Sequence, residues 1–135
     1  MTVGLVLVAH SAEVARGLAA MVAQAAPGVP VETSGGLGDG RLGTSAPDVE
    51  AALRRCLGAA PGGVLVLLDL GSAGMAVDIA LESLAPGELG RVRVTEAPLV
   101  EGAVHAAVTA ASGADLAAVE EAAVRGGQAP KRPSG

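Results

Sequence analysis

Two polar residues stand where a parallel α/β chain concentrates its chemistry. His10 follows the apolar run Val3-Gly4-Leu5-Val6-Leu7-Val8-Ala9 and precedes a helix that begins near Ser11. Asp69 lies near the end of a second apolar run, Val64 to Leu70, and Gly71-Ser72-Ala73-Gly74 follows it. An imidazole at a strand-to-helix corner serves as nucleophile, base or ligand near neutral pH, because its unperturbed pKa is about 6.5. A carboxylate beside it accepts the proton of one ring nitrogen. That fixes the tautomer and leaves the other nitrogen's lone pair free to attack. The backbone N–H groups at the start of a helix, with its dipole, favour an anion such as phosphate. A nucleophilic His10, an orienting Asp69 and an anion cradle at Gly71, Ser72 and Ala73 suit a transient phosphohistidine. One histidine and one aspartate are too few ligands for a metal.

These residues need elements to position them. The pattern alternates strands and helices, and predicts strands at 3–9, 29–34, 64–70 and 91–95. Helix 12–26 has Val14, Leu18, Met21, Val22 and Ala25 as its apolar face. A second helix starts at Ser45-Ala46-Pro47-Asp48 and carries Val49, Ala52, Leu53, Cys56 and Leu57. A third, capped by Ser72, carries Met75, Ile79 and Leu84; a fourth, 99–112, carries Val100, Val104, Ala107, Val108 and Ala111. A last helix covers about 115–125, and residues 126–135 read as a disordered tail. The implied fold is a single α/β domain over 1–125. It is an open, mainly parallel four-stranded sheet with helices on both faces. In the order 2-1-3-4, ligands bind in the crevice between the ends of strands 1 and 3. That crevice makes neighbours of His10 and Asp69.

Composition narrows the function. Half of the 135 residues are apolar, yet none is Phe, Tyr or Trp. The core is therefore aliphatic, with helices packed close to the sheet. The rings that usually stack on single-stranded nucleic acid are missing. A net charge of −5 disfavours phosphate backbones and anionic membranes, and favours a partner with a basic surface. The lone Cys56 excludes an intrachain disulfide and falls on an apolar helix face, as a buried thiol does. The N-terminal apolar run is too short to span a bilayer and lacks a positive leader, so the expected location is cytoplasmic.

Other residues carry weaker signals. The glycine-rich stretch 35–44 is a mobile loop and not a phosphate-binding P-loop, because no Gly-Lys-Ser/Thr follows. Thr44 has two roles open to it, a phosphate contact or a helix cap. His105 reads as a helix-surface residue, and Glu96 as a solvated residue at the crevice rim. Each strand-end residue also has a plainer reading, as a solvated or turn-capping side chain. A non-enzymatic regulatory or partner-binding α/β module and a domain binding a small anionic ligand remain as alternatives.

Four motifs together resemble a known family. They are Val6-Leu7-Val8-Ala9-His10-Ser11, Gly43-Thr44-Ser45, Leu68-Asp69-Leu70-Gly71-Ser72-Ala73, and Ala97-Pro98-Leu99-Val100-Glu101-Gly102-Ala103. In order and spacing they resemble the phosphocarrier subunit of phosphotransferase-system-dependent dihydroxyacetone kinase, the DhaM type, related to mannose-family enzyme IIA. The resemblance covers roughly residues 2–125. It implies that His10 accepts a phosphoryl group on Nε2 from the small phosphocarrier HPr. It implies onward transfer to ADP held by the kinase's nucleotide-binding subunit, and then phosphorylation of dihydroxyacetone. Asp69 is expected to hold the imidazole, with Ser11, Thr44, Gly71, Ser72 and Ala73 around the phosphate. No cofactor of its own is implied, ADP/ATP being bound by the partner subunit, and a homodimer is. The nearest alternative is a sugar-specific mannose-type IIA component. Its members tend to have glycine after the histidine and Gly-Gly-Ser-Pro after the aspartate, where this chain has Ser11 and Leu70-Gly71-Ser72-Ala73.

Overall fold

The computed structural model describes residues 1–132. Its elements are β1 (Val3–Ala9), α1 (Ala12–Ala25), β2 (Val31–Gly35), α2 (Ala46–Ala59), β3 (Gly63–Leu68) and α3 (Ala73–Glu82). After these come α4 (Pro86–Leu89), β4 (Val92–Val94), α5 (Leu99–Ala111) and α6 (Leu116–Gln128). The strands form one sheet in the order β2-β1-β3-β4, and every neighbouring pair is parallel. This is the expected topology. The short α4 is an addition to it.

Strand periodicity divides the core in two. Leu5, Leu7, Leu65 and Leu67 face α1, α5 and α6, whereas Val6, Val8, Val64 and Val66 face α2 and α3. All eight are fully buried. That explains why the strands read as continuous apolar runs and not as alternating ones. Burying a Val or Leu side chain contributes about 1.5–3 kcal/mol, so these central strands anchor the sheet whose ends carry the polar residues. Cys56 lies in the second layer, its thiol donating to the Leu5 carbonyl at 3.6 Å. Burial, with a smaller contribution from the Glu32 charge, pushes that thiol up to about 12. A Cβ on Gly4 would come within 2.6 Å of the sulfur, so glycine makes the thiol's room.

The helix faces differ from expectation. In α1 the buried stripe is Ala15, Leu18 and Val22, while Val14, Met21 and Ala25 are exposed. In α3 it is Ala73, Ala76, Val77 and Ala80; Met75 and Ile79 point to solvent, 73% and 53% exposed. Leu84 is buried but lies beyond the helix. In α5, Leu99, Ala103, Ala106, Ala107 and Ala110 pack inward, and Val100, Val108 and Ala111 face out. The cause is the aliphatic core: with no aromatic ring to fill space, small side chains let the helices approach the sheet, and the larger ones turn outward.

The tail boundary also moves. The last helix continues through Gln128, so residues 126–128 are helical and not tail. Gly126 and Gly127 allow this. A Cβ on Gly126 would lie 2.6 Å from His105 Cδ2, and one on Gly127 would lie 2.4 Å from Pro98 Cδ. Beyond the helix, Lys131 pairs with Glu101 at 2.6 Å. The rest of the expected tail, residues 133–135, lies outside the described residues.

Candidate functional site

The register of β1 and β3 places the two strand ends side by side. Val8 is opposite Leu68, and the Asp69 N–H donates to the Val8 carbonyl at 3.1 Å, one step beyond the end of β3. Asp69 therefore sits next to the chain segment entering His10. The expected pairing is present in three contacts. The His10 backbone N–H donates to Asp69 Oδ2 at 2.9 Å, and His10 Nδ1 lies 3.0 Å from Oδ1 and 3.2 Å from Oδ2. The Leu70 N–H donates to Asp69 Oδ1 at 2.8 Å.

These contacts determine protonation. Burial pushes the Asp69 carboxyl up, but the His10 backbone N–H, the His10 ring and the Leu70 N–H outweigh it and hold the group below the ordinary aspartate value. Ionised, it only accepts, so Nδ1 carries a proton and the Nε2 lone pair points away from the sheet. That lone pair meets Ser72, whose Oγ lies 2.9 Å from Nε2. Both site side chains remain reachable, His10 25% and Asp69 21% exposed.

Ser72 is the N-cap residue of α3, but it makes no side-chain cap and its backbone is helical, with φ −64 and ψ −21. Its hydroxyl serves the histidine instead. Of the backbone donors here, the Ala73 and Gly74 N–H groups are spent on the Leu70 and Gly71 carbonyls, at 3.0 and 2.9 Å. The Gly71 and Ser72 N–H groups have no acceptor among the described residues. Ser11 Oγ caps α1, accepting from Val14 at 3.3 Å. Thr44 does not cap α2; Ser45 does, accepting from the Asp48 N–H at 3.4 Å. Thr44 is half-buried, one residue after Gly43, whose N–H donates to the His10 carbonyl at 2.9 Å. The glycine-rich loop is thus tied directly to the histidine, a contact that no side-chain pattern announces. Gly43 has φ +147, a conformation open to glycine.

Glu96 is exposed and lines a cleft of about 180 Å³ on the far side of Asp69, with Leu70, Gly71, Thr95 and Pro98. His105 is exposed on α5, against Gly126, and takes no part in the site. Among the described residues, no helix is long and apolar enough to cross a membrane.

His10 thus has one ring nitrogen held by a carboxylate and the other facing a hydroxyl. Comparison with known proteins identifies the family. Residues 4–120 match the EIIA-man family, described as the PTS system fructose IIA component. The phosphoryl donor subunit DhaM of PEP-dependent dihydroxyacetone kinase 2 from Listeria innocua is 37% identical, covering 78% of this chain and 84% of that one. The phosphotransferase subunit DhaM from Lactococcus lactis is 35% identical, covering 90% and 93%. The Escherichia coli phosphoryl donor subunit DhaM is 38% identical over 84% of this chain but only 25% of that protein, so the chain spans about a quarter of its length. Among solved structures, EF1359, a protein of unknown function, superposes with a TM-score of 0.81 at 29% identity, covering 93% and 95%. A sigma-54 interaction domain protein from Enterococcus faecalis shares the fold at a TM-score of 0.66 and 16% identity.

Proposed function

The chain belongs to the mannose-type enzyme IIA family, in its DhaM branch, and we propose that it carries phosphate on His10 as the phosphoryl donor subunit of a dihydroxyacetone kinase. A phosphorylated HPr-type carrier is the donor. The Nε2 lone pair attacks phosphorus as the donor's own P–N bond breaks. The Nε2–P bond then breaks as a terminal oxygen of ADP on the kinase's nucleotide-binding subunit forms the new P–O bond. The observation that carries this reading is the placement of His10 between Asp69 and Ser72, with Nδ1 held and Nε2 turned to the crevice.

Asp69 fixes the tautomer and stabilises the positive charge that the ring gains on phosphorylation. The Ser72 hydroxyl and the Gly71 and Ser72 N–H groups are the donors nearest the arriving phosphoryl oxygens. Ser11 follows His10 directly, and Thr44 follows Gly43, whose N–H meets the His10 carbonyl. Catalysis is then a matter of positioning and electrostatics. The family description names a fructose component, but the three relatives above are all named as subunits of a dihydroxyacetone kinase. A homodimer and a cytoplasmic location belong to this reading, and the acidic net charge and lack of aromatic rings speak against a nucleic-acid partner.

Incubation with phosphorylated HPr followed by intact-mass measurement tests it. Wild type gains one phosphoryl group and His10→Ala gains none. Equal labelling of that variant would overturn the reading.

A further inference from the structure

The backbone of His10 is held from two sides. Its N–H donates to Asp69 Oδ2 at 2.9 Å, from the β3 side, and its carbonyl accepts the Gly43 N–H at 2.9 Å, from the β2 side. The first hold belongs to the pairing of His10 with Asp69. The second comes from the glycine-rich loop between β2 and α2, whose residues make and break no bond in the transfer.

That loop rests on the corner after β1 at both of its ends. At its start, a Cβ on Gly35 would lie 2.7 Å from the Ser11 carbonyl oxygen, so glycine permits the close approach. Beside it, the buried Ser34 hydroxyl donates to Asp48 Oδ2 at 2.7 Å and fastens the end of β2 to the first turn of α2. Within the loop, the Leu37 N–H donates to the Arg41 carbonyl at 3.1 Å. Asp39 accepts from the Arg41 N–H at 3.0 Å and from its Nε at 2.6 Å. At the far end, Leu37 fills the space that a side chain at Gly43 would need: a Cβ there would lie 2.9, 3.0 and 3.1 Å from Leu37 Cδ2, Cγ and Cδ1.

The core does not account for Leu37. It belongs to neither apolar layer and is 39% exposed. What its side chain covers is Gly43, the residue whose N–H reaches His10. Leu42 lies in the same loop but is 73% exposed.

We propose that Leu37 is a positioning residue for His10: it seats Gly43, and Gly43 fixes the His10 carbonyl and with it the pose of the ring between Asp69 and Ser72. This inference rests on the phosphocarrier reading above. The ring lies 3.0 Å from Asp69 Oδ1 and 2.9 Å from Ser72 Oγ. A misplacement of about 1 Å at a reacting group costs on the order of a hundredfold in rate. Loosening the loop lets the ring drift by less than that, so a loss of about tenfold is expected.

The test uses the full chain and two readouts. One is the rate of His10 labelling by phosphoramidate, a small donor that needs no docking, beside the rate with phosphorylated HPr. The other is the nitrogen NMR spectrum of the His10 ring, which reports which nitrogen carries the proton. Leu37→Ala slows labelling by both donors by the same factor, about tenfold, and moves the ring resonances away from a single Nδ1–H tautomer. Leu37→Met refills the space over Gly43 and restores both readouts, and Leu42→Ala leaves both at wild-type values. Unchanged labelling or unchanged ring resonances in Leu37→Ala overturn the assignment. An equal loss in Leu42→Ala overturns it too, as does a loss confined to phosphorylated HPr, which would make Leu37 a docking contact. A wild-type chain that takes phosphate from neither donor overturns the phosphocarrier reading, and the ring resonances then decide by themselves whether Leu37 holds His10 in place.

Discussion

Ser72 Oγ lies 2.9 Å from His10 Nε2, the nitrogen opposite the one that Asp69 holds. With Nδ1 protonated, the hydroxyl donates to the Nε2 lone pair, so the unphosphorylated site is closed by its own serine. On the proposed function, a phosphoryl group on Nε2 would displace that proton and leave the hydroxyl to donate to a phosphoryl oxygen.

Ser72→Ala separates these two effects. Removing the hydroxyl unblocks the lone pair but also deletes a donor to the developing phosphoryl charge. Loss of such a donor typically costs about a hundredfold or more, whereas releasing one exposed hydrogen bond is worth about 1 kcal/mol. The net expectation is phosphorylation slower by at least about tenfold, read by single-turnover labelling. Stability should change little, because Ser72 makes no cap bond. A faster variant would mean that Ser72 only obstructs.

Asp69→Asn keeps the shape but loses the charge that orients His10. An amide in the place of a carboxylate lets the ring take the wrong tautomer, a change that costs several orders of magnitude in an analogous triad. Phosphorylation of His10 should fall by about a hundredfold or more, while the fold persists. An unchanged rate would remove Asp69 from the mechanism.

The same carboxylate gives a pH signature. Its folded pKa is depressed, so its contribution to stability is fully present above the ordinary aspartate value of about 3.9 and is lost as pH falls through the lower folded value. The stability gap between wild type and Asp69→Asn should therefore shrink as pH falls below about 4. Urea titrations across that range measure it. A gap that widens on acidification would contradict the sign.

The strand ends were legible in the sequence because a buried parallel strand announces itself as an apolar run, and the residue after the run must then be at the crevice. His10 needed only that and the strand order; Asp69 was expected inside the run 64–70, whereas the strand ends at Leu68 and leaves it just beyond. The helix faces were not legible, because hydrophobicity weights Met75 and Ile79 above Ala76 and Ala80, whereas packing without aromatics selects the small residues. Ser72 was legible as a helix-start hydroxyl but not as the partner of Nε2, since that depends on where the ring turns. The Gly43 bond to the His10 carbonyl is backbone to backbone and leaves no mark on residue type.

This inversion on α3 is measurable. Met75→Ala and Ile79→Ala remove exposed side chains and should shift monomer stability by no more than about 0.5 kcal/mol. Ala76→Leu and Ala80→Leu insert bulk against the sheet and should cost about 1–3 kcal/mol. Chemical denaturation at low protein concentration decides between the two faces. Large losses from the first pair would restore the face that hydrophobicity alone selects.

The end of α6 yields the most pointed test of packing. Alanine in a helix interior is ordinarily better than glycine by about 1 kcal/mol, so Gly127→Ala would stabilise an unpacked helix end. Here the added Cβ would meet Pro98 Cδ at 2.4 Å and Cγ at 2.7 Å, but Pro98 Cβ only at 3.8 Å. The expected result is destabilisation by about 1–3 kcal/mol, as for other overpacked contacts. Pro98→Ala removes the two offending atoms and keeps the third. The double variant should therefore recover most of the loss, with a coupling energy of at least about 1 kcal/mol in a double-mutant cycle. Additive effects would show that the helix end does not rest on the turn leading into α5.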